Sequence, residues 1–353
     1  MSVLFAILLF SFLIFIHELG HFVAAKLSGV QVNEFALFMG PALWKKQVGE
    51  TLYAIRLVPI GGYCAMEGED GGSDSPRSFD KAAWWKKLAI LAAGAAMNFI
   101  TGVLLMTLVY LPISKVVVPV IDSFEWYSTL DSERGLKVGD RILEVDGEKL
   151  YIQSDFSMIL ELNEGKYHDL VVERDGKRLV LKDFLMEKHE VTDENGNRVR
   201  LYGVNFSIEE LSFGGKLRYA WYESLGAVRL VRMSLQMLLS GRAGFSDMSG
   251  PVGIVSMMSD VASQSRTWMD ALLNLMYFGG FIAINLAVMN LLPIPALDGG
   301  RIVGVVITTA VEAITKKKIN PRYEGYLHGA GMVLLLILMA VIMFKDIIFL
   351  FRR

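Results

Sequence analysis

Four long apolar stretches, at about 3–25, 88–113, 271–296 and 325–344, recur along the chain between segments of different pattern. Crossing a hydrocarbon core of about 30 Å takes roughly 20 helical residues, and each stretch is long enough. No charged residue lies between Lys87 and Lys115, or between Asp270 and Asp298. The first stretch has the position of a signal peptide. It lacks a basic residue before Lys26 and a small-residue cleavage pattern, and it carries His17, Glu18 and His21, so it is read as a retained span. From about 114 to 206 the pattern changes to short alternating strands, with hairpin-type turns at Asp146-Gly147 and Asp175-Gly176. That length suits one small domain. The 217–239 stretch is apolar but interrupted by Arg218, Glu223, Arg229 and Arg232, which argues against a fifth span. It is expected to form an amphipathic helix against the outer membrane face or the β-rich domain, with Trp221, Met233 and Met237 as packing residues.

Composition agrees with the pattern. The 353 residues are 53 % hydrophobic and 20 % charged, too apolar for an ordinary soluble protein of this length. With 35 basic against 37 acidic residues there is no basic excess to hold a nucleic acid. Cys64, the one cysteine, has no partner for an intramolecular disulfide. Basic residues gather in two connections: Lys26, Lys45, Lys46, Arg56, Arg77, Lys81, Lys86 and Lys87 after the first span, and Lys316, Lys317, Lys318 and Arg322 after the third. By the positive-inside rule both connections are cytoplasmic, which places the β-rich domain and both termini outside, against the sign of Arg352 and Arg353.

The first cytoplasmic connection holds a strand-like run, 52–63, followed by the acidic, flexible 67–72. A hairpin this apolar can enter the membrane only where protein or a water-filled cavity satisfies its backbone. Its edge, including Ile55, Leu57, Gly61 and Gly62, would then pair with an extended substrate; a surface hairpin covering a helix end fits the pattern equally well.

The chemistry lies in His17-Glu18-Leu19-Gly20-His21, an H-E-x-x-H run inside a predicted helix. Histidines at i and i+4 face the same way and can ligate one Zn²⁺, and the adjacent glutamate can serve as general base. Three such groups in a membrane helix are expensive unless they pair or bind something. Catalytic zinc takes a third protein ligand. Asp298, which follows Asn290 and the broken Leu-Leu-Pro-Ile-Pro-Ala-Leu run at the end of the third span, lies at the matching depth; Glu312, Asp70 and Cys64 are weaker candidates, and His328 reads as an interfacial or packed histidine. Pro293 and Pro295 remove backbone donors and break the helix, turning Asp298 toward the metal, while the Asn290 amide offers a contact for a substrate backbone or a developing oxyanion.

Taken together, these motifs resemble the site-2 protease family of intramembrane zinc metalloproteases, in its bacterial branch with a single PDZ domain. The resemblance rests on HELGH, the hairpin, Gly-Ala-Ala-Met-Asn at 94–98, a PDZ-like Gly-Leu-Lys-Val-Gly-Asp run at 135–140, Ser-Gly-Pro-Val-Gly-Ile at 249–254 and Asn-Leu-Leu-Pro-Ile-Pro-Ala-Leu-Asp-Gly-Gly at 290–300. It departs at 94–98, where many relatives have Gly-Pro before the asparagine, so no role carries over to Asn98. The fold implied is a polytopic α-helical membrane protein with four transmembrane helices, a membrane-associated β-hairpin and one β-rich extracytoplasmic PDZ domain. Its expected parts are a first helix at 1–25, a loop with the reentrant hairpin at 26–87, helices at 88–113, 271–298 and 325–345, the PDZ domain at 114–206, an amphipathic segment at 207–270 and a basic cytoplasmic loop at 299–324.

The resemblance further implies His17, His21 and Asp298 as zinc ligands, Glu18 as acid/base and Asn290 as a substrate contact. It implies hydrolysis of pre-trimmed transmembrane substrates, such as anti-sigma factors or remnant signal peptides, in the bacterial inner membrane. The active site would face the cytoplasm, and a PDZ domain that binds extended peptide ends would act as a filter. Two other classes compete: a non-proteolytic zinc-binding transporter or chaperone, for which internal repeats are missing, and a PDZ-based peptide receptor, which leaves HELGH unexplained.

Overall fold

The computed structural model describes residues 2–69, 72–132, 135–163, 165–192, 196–244, 250–265, 267–316 and 322–352. Asp70, Gly71, Ser249, Lys317, Lys318 and Arg353, which entered the readings above, lie outside the described residues. The chain divides into two compact units, one of Met1–Met106 with Gly244–Arg353, the other of Thr107–Ala243.

The first unit is mainly helical. Among the described residues four helices are long and apolar enough to cross a membrane, over Ala6–Ser28, Trp84–Tyr110, Trp268–Asn290 and Gly325–Ile348. They belong to α1 (Ser2–Ser28), α2 (Trp84–Tyr110), α6 (Trp268–Asn290) and α8 (Arg322–Arg352). Helix α1 stops in a Schellman motif: the Gly29 amide donates to the Lys26 carbonyl, the Val30 amide to that of Ala25, and Gly29 takes the left-handed φ of 80° that this ending requires. Helix α6 starts in a capping box of Thr267 and Asp270. Small residues bring the spans together, as expected where lipid offers no hydrophobic gain for helix pairing. A Cβ at Gly102 of α2 would fall 2.9 Å from the Gly280 carbonyl oxygen of α6.

Between α1 and α2 the chain forms β1 (Val32–Val48) and β2 (Thr51–Met66). The run expected as a hairpin at 52–63 is therefore one strand, and its partner is the less apolar 32–48. The register is folded over on itself: Leu52–Ile55 pairs with Gln47–Trp44 on one side and with Glu34–Leu37 on the other, while Glu34–Leu37 also pairs with Ala65–Gly62. Residues 52–55 are thus interior to this small sheet, and 62–66 forms one of its margins.

Two further helices lie where the sequence pattern was read as loop or as a single segment. The stretch 299–324 opens with α7 (Asp298–Thr315), not with a basic loop. Its Ile302 and Val305 recur on one face and pack into a core shared with Ile90 and Leu91 of α2, and this burial outweighs the polar residues at its far end. The 207–270 segment contains α4 (Phe213–Leu239) and also α5 (Pro251–Gln264). Ile254 of α5 packs with Leu13 of α1 and Ile282 of α6, and its N-terminus is capped by Asp346 of α8, whose Oδ2 accepts from the Gly250 and Gly253 amides at 2.9 and 3.0 Å.

The second unit is built on a six-stranded sheet. Strands β3 (Lys115–Phe124), β4 (Arg141–Val145), β6 (Tyr167–Arg174), β7 (Lys177–Leu185) and β10 (Val204–Glu210) run in the order β10-β3-β4-β6-β7, with β5 (Glu148–Lys149) on β4. β8 (His189–Thr192) and β9 (Arg198–Leu201) form a separate ribbon. The sheet continues past the expected boundary at 206, because Glu210 still pairs with Lys115. Both Asp-Gly turns have positive φ at each residue, 50° and 78° at 146–147 and 50° and 71° at 175–176, as type I′ hairpins demand. Helix α3 (Gln153–Leu162) buries Phe156, Ile159 and Leu160 against Ile142, Leu170 and Val172 of the sheet. Helix α4 turns its charges to this domain: Arg232 reaches Glu148 at 2.6 Å and Arg229 reaches Asp155 at 3.3 Å. Met233 is buried there as expected, whereas Trp221 is exposed.

Candidate metal centre

His17 and His21 sit one helical turn apart on α1, and their Nε2 atoms are 3.1 Å from each other. Asp298, the first residue of α7, brings Oδ2 to 3.1 Å from His17 Nε2 and 3.3 Å from His21 Nε2. Three donors bound at about 2.0–2.1 Å on a tetrahedral ion stand about 3.3 Å apart, so these spacings fit three corners of a zinc site. The donor chemistry fits as well. Asp298 Oδ2 is buried and makes no hydrogen bond of proper geometry among the described residues, although two ring nitrogens lie close. The three donor atoms, two imidazole nitrogens and a carboxylate oxygen, all lie within 4.8 Å of one another. The Ile90 carbonyl lies 2.9 Å from His21 Nδ1, which holds the proton on that nitrogen and leaves Nε2 free to ligate.

Asp298 reaches this position because α6 ends early and the chain folds back. Pro293 and Pro295 lack amide hydrogens, and the remaining donors close short turns: Ile294 to the Leu292 carbonyl at 2.7 Å, Leu297 to that of Ile294 at 3.1 Å. Helix α7 then starts so close to this turn that a Cβ at Gly300 would lie 2.8 Å from the Ile294 carbonyl carbon. The glycines after Asp298 therefore have a packing reason.

A cavity of about 420 Å³ adjoins the cluster, lined among others by Glu18, Asn290, Tyr63, Cys64, Met66, Glu69 and Arg301. Glu69 and Arg301 form an ion pair across it. Glu18 and Asn290 thus line the same cavity as the histidines and Asp298. The strand positions differ. Ile55 and Leu57 are exposed and away from the cavity, and the wall is formed by Tyr63, Cys64, Ala65 and Met66. The physical reason is the register: 52–55 already has a neighbour on each side, while 62–66 is marginal. Gly62 stands against Glu18, since a Cβ there would lie 3.8 Å from the Glu18 Cγ, and Gly61, at φ 77°, allows the bend that carries the strand inward.

Among the weaker ligand candidates, Cys64 lines the cavity but is outside the three-residue cluster. Burial, reinforced by the charges of Glu18 and Glu69, raises its thiol well above the ordinary range. Glu312 is fourteen residues along α7 from Asp298, about 21 Å at helical rise. His328 accepts a hydrogen bond from the Ala296 amide. Asn98 is buried on α2 one turn past Gly94. One position was missed in the sequence: Gly94 forms the floor under both histidines. A Cβ there would fall on the His21 ring and 2.7 Å from His17 Cε1. In the sequence Gly94 stood out only as the first residue of the 94–98 run that carries the resemblance, with no role attached to it.

With this geometry in view, comparison with known proteins gives the class. Residues 5–338 match the model of peptidase family M50. The chain is 34 % identical over 351 residues to a Clostridium acetobutylicum protein provisionally named a zinc metalloprotease, covering 99 % of this chain and 98 % of the other. It is 27 % identical over 426 residues to the regulator of sigma-W protease RasP of Bacillus subtilis, and 28 % identical over 432 residues to the zinc metalloprotease RasP of Bacillus licheniformis, with 97 % of each chain covered in both cases. The chain belongs to peptidase family M50, the site-2 proteases: it is a zinc-dependent membrane metallopeptidase.

Proposed function

We propose that this chain hydrolyses peptide bonds in or beside the transmembrane segments of membrane proteins, with His17, His21 and Asp298 holding zinc and Glu18 as acid/base. The observation that carries the reading is the convergence of three donor atoms and Glu18 on one cavity bordered by a strand margin. Zinc at such a centre acidifies water and polarises a carbonyl. Glu18 takes the proton of the attacking water as the new C–O bond forms, and returns a proton to the amine nitrogen as the C–N bond breaks. A membrane helix hides its carbonyls in i to i−4 bonds, so the substrate has to unwind. The 62–66 margin offers backbone groups to which an extended segment adds as a strand beside Glu18. The Asn290 amide donates to the substrate carbonyl, and Pro293 and Pro295 act by shaping the turn that presents Asp298.

The protein is placed in the bacterial plasma membrane with the metal centre toward the cytoplasm and both termini and residues 114–210 outside, following the basic residues of the connections. The six-stranded sheet with α3 packed on it, and its Gly-Leu-Lys-Val-Gly-Asp run, support a PDZ domain that binds extended peptide ends and excludes substrates not yet trimmed outside. The Bacillus subtilis relative named regulator of sigma-W protease supports anti-sigma factors as a substrate class, beside the remnant signal peptides that the family resemblance implies. The test is Glu18→Gln in the full-length protein. Cleavage of a single-span model substrate in detergent should fall by about 10²–10⁴-fold with zinc content unchanged; persistent cleavage would refute the assignment.

A further inference from the structure

The last span makes few contacts for its length, and most of its side chains from 325 to 344 are exposed. Positions 328, 331, 335 and 342 are exceptions, and the first two lie one turn apart. His328 is half-buried and its Nδ1 accepts the Ala296 amide hydrogen at 3.0 Å. Gly331 is buried, and a Cβ there would lie 2.5 Å from Pro295 Cβ and 2.8 Å from its carbonyl carbon. Residues three apart lie on the same helix face, so α8 grips the Pro295-Ala296 turn at two adjoining points.

What is gripped matters. Ala296 has φ 78°, a left-handed conformation that an alanine adopts only when its surroundings hold it there. Its amide is directed away from the helical hydrogen-bond pattern and into the His328 ring. Asp298 follows two residues later, with the only carboxylate of the metal cluster, so the direction of its side chain depends on the backbone at 296–297. His17 and His21 of α1 meet this segment at Asp298 and Glu69 meets it at Arg301, whereas the hydrogen bond to the Ala296 amide itself comes from His328.

We infer that His328 is a positioning residue for the metal centre: by accepting the Ala296 amide it fixes the strained turn and so aims Asp298 at the two histidines. Gly331 is its companion, leaving room for the same turn. The inference rests on the reading of Asp298 as a zinc ligand. It assigns the last span a part in metal retention, although that span provides no ligand.

The experiment uses full-length protein, purified in detergent with zinc bound, and follows zinc transfer to a chelator together with the melting temperature. His328→Ala should release zinc about tenfold faster than wild type, the scale found when a partner that orients a ligand is removed, with the melting temperature unchanged. His328→Asn, whose Oδ1 replaces the Nδ1 acceptor, should restore release to within about twofold, as a general shape effect would not. Gly331→Ala should also release zinc faster, by displacing Pro295. Equal release from His328→Ala and wild type would overturn the inference, as would a His328→Asn variant no better than alanine. Asp298→Asn, measured alongside, separates the two levels. If it releases zinc rapidly while His328→Ala does not, only the role of His328 fails; if it retains zinc like wild type, the ligand reading fails and this inference with it.

Discussion

The two units hold their buried carboxylates in different ways. In the sheet unit, the buried carboxylates Asp140 and Asp155 are satisfied locally. Asp140, fully buried, is held by Arg174 through Nε and Nη2, each at 2.7 Å, and takes the Lys137 amide as well. Asp155 accepts the Tyr151 amide at 2.8 Å and faces Arg229. In the helical unit, His17, His21 and Asp298 lie as close together, yet His17 Nδ1 and Asp298 Oδ2 make no hydrogen bond among the described residues. Satisfied buried polar groups specify a fold, whereas unsatisfied ones whose lone pairs converge call for a ligand. The same residue types are structural in one region and chemical in the other.

The largest effect is expected where that convergence depends on missing atoms. Gly94→Ala puts a methyl group on the His21 ring and against His17, with the α2 backbone unable to yield because Ala93 lies against Gly20 of α1. Zinc content of the purified protein should drop steeply, and hydrolysis should fall by at least about 10²-fold, the scale of a misplacement of about 1 Å. Atomic absorption and a cleavage assay check this. Normal zinc content in Gly94→Ala would remove the claim that this glycine seats the histidines.

A smaller effect, of different kind, is expected in the sheet unit. Arg174→Met leaves the Asp140 carboxylate buried beside a neutral side chain, which destabilises by about 3 kcal/mol. Hydrogen exchange over 115–185 should accelerate, while the zinc centre stays intact. If the domain filters substrates, cleavage of a trimmed substrate should persist and that of an untrimmed one should rise. Loss of both would show that the two regions are not separable in the way the contrast implies.

Much of the candidate metal centre was legible in the sequence because its parts are encoded at short range. H-E-x-x-H places two rings on one helix face by spacing alone, and two prolines before Asp298 announce a broken helix. What was not legible depends on contacts between distant segments. Gly94 acquires its meaning only when α2 crosses α1 at the histidines. The strand segment that lines the cavity lies at 63–66 and not along 52–63, because the strand pattern shows neither the partner at 32–48 nor the doubled register. Helix α7 was hidden because the lysines that follow it in the sequence, at 316–318, dominated the reading of a segment whose beginning is amphipathic. The hairpin turns of the sheet, by contrast, were readable from Asp-Gly alone, since their positive φ is a local requirement.

The smallest expected effect turns on one of those turns and tests how completely the sheet unit satisfies its charges. Burial opposes ionisation of Asp146, but the His168 ring at 2.7 Å, the Asp169 amide at 2.9 Å and the Asn163 amide at 3.1 Å outweigh it and hold the carboxyl below its ordinary value. A group whose folded pKa is depressed contributes stability above its unfolded pKa, and that contribution is lost as pH falls through the folded pKa. The domain should therefore lose stability as pH drops below about 4, by under about 1 kcal/mol from this group once solvent screening is allowed for. Asp146→Asn is the informative variant, because asparagine accepts the left-handed φ of 50° and keeps an oxygen for the Asp169 amide. It should flatten the acid limb of a denaturation series measured between pH 6 and pH 3 while leaving the turn in place. An unchanged acid limb in that variant would mean that Asp146 does not couple ionisation to folding, and that local satisfaction of charge in the sheet unit is a matter of geometry alone.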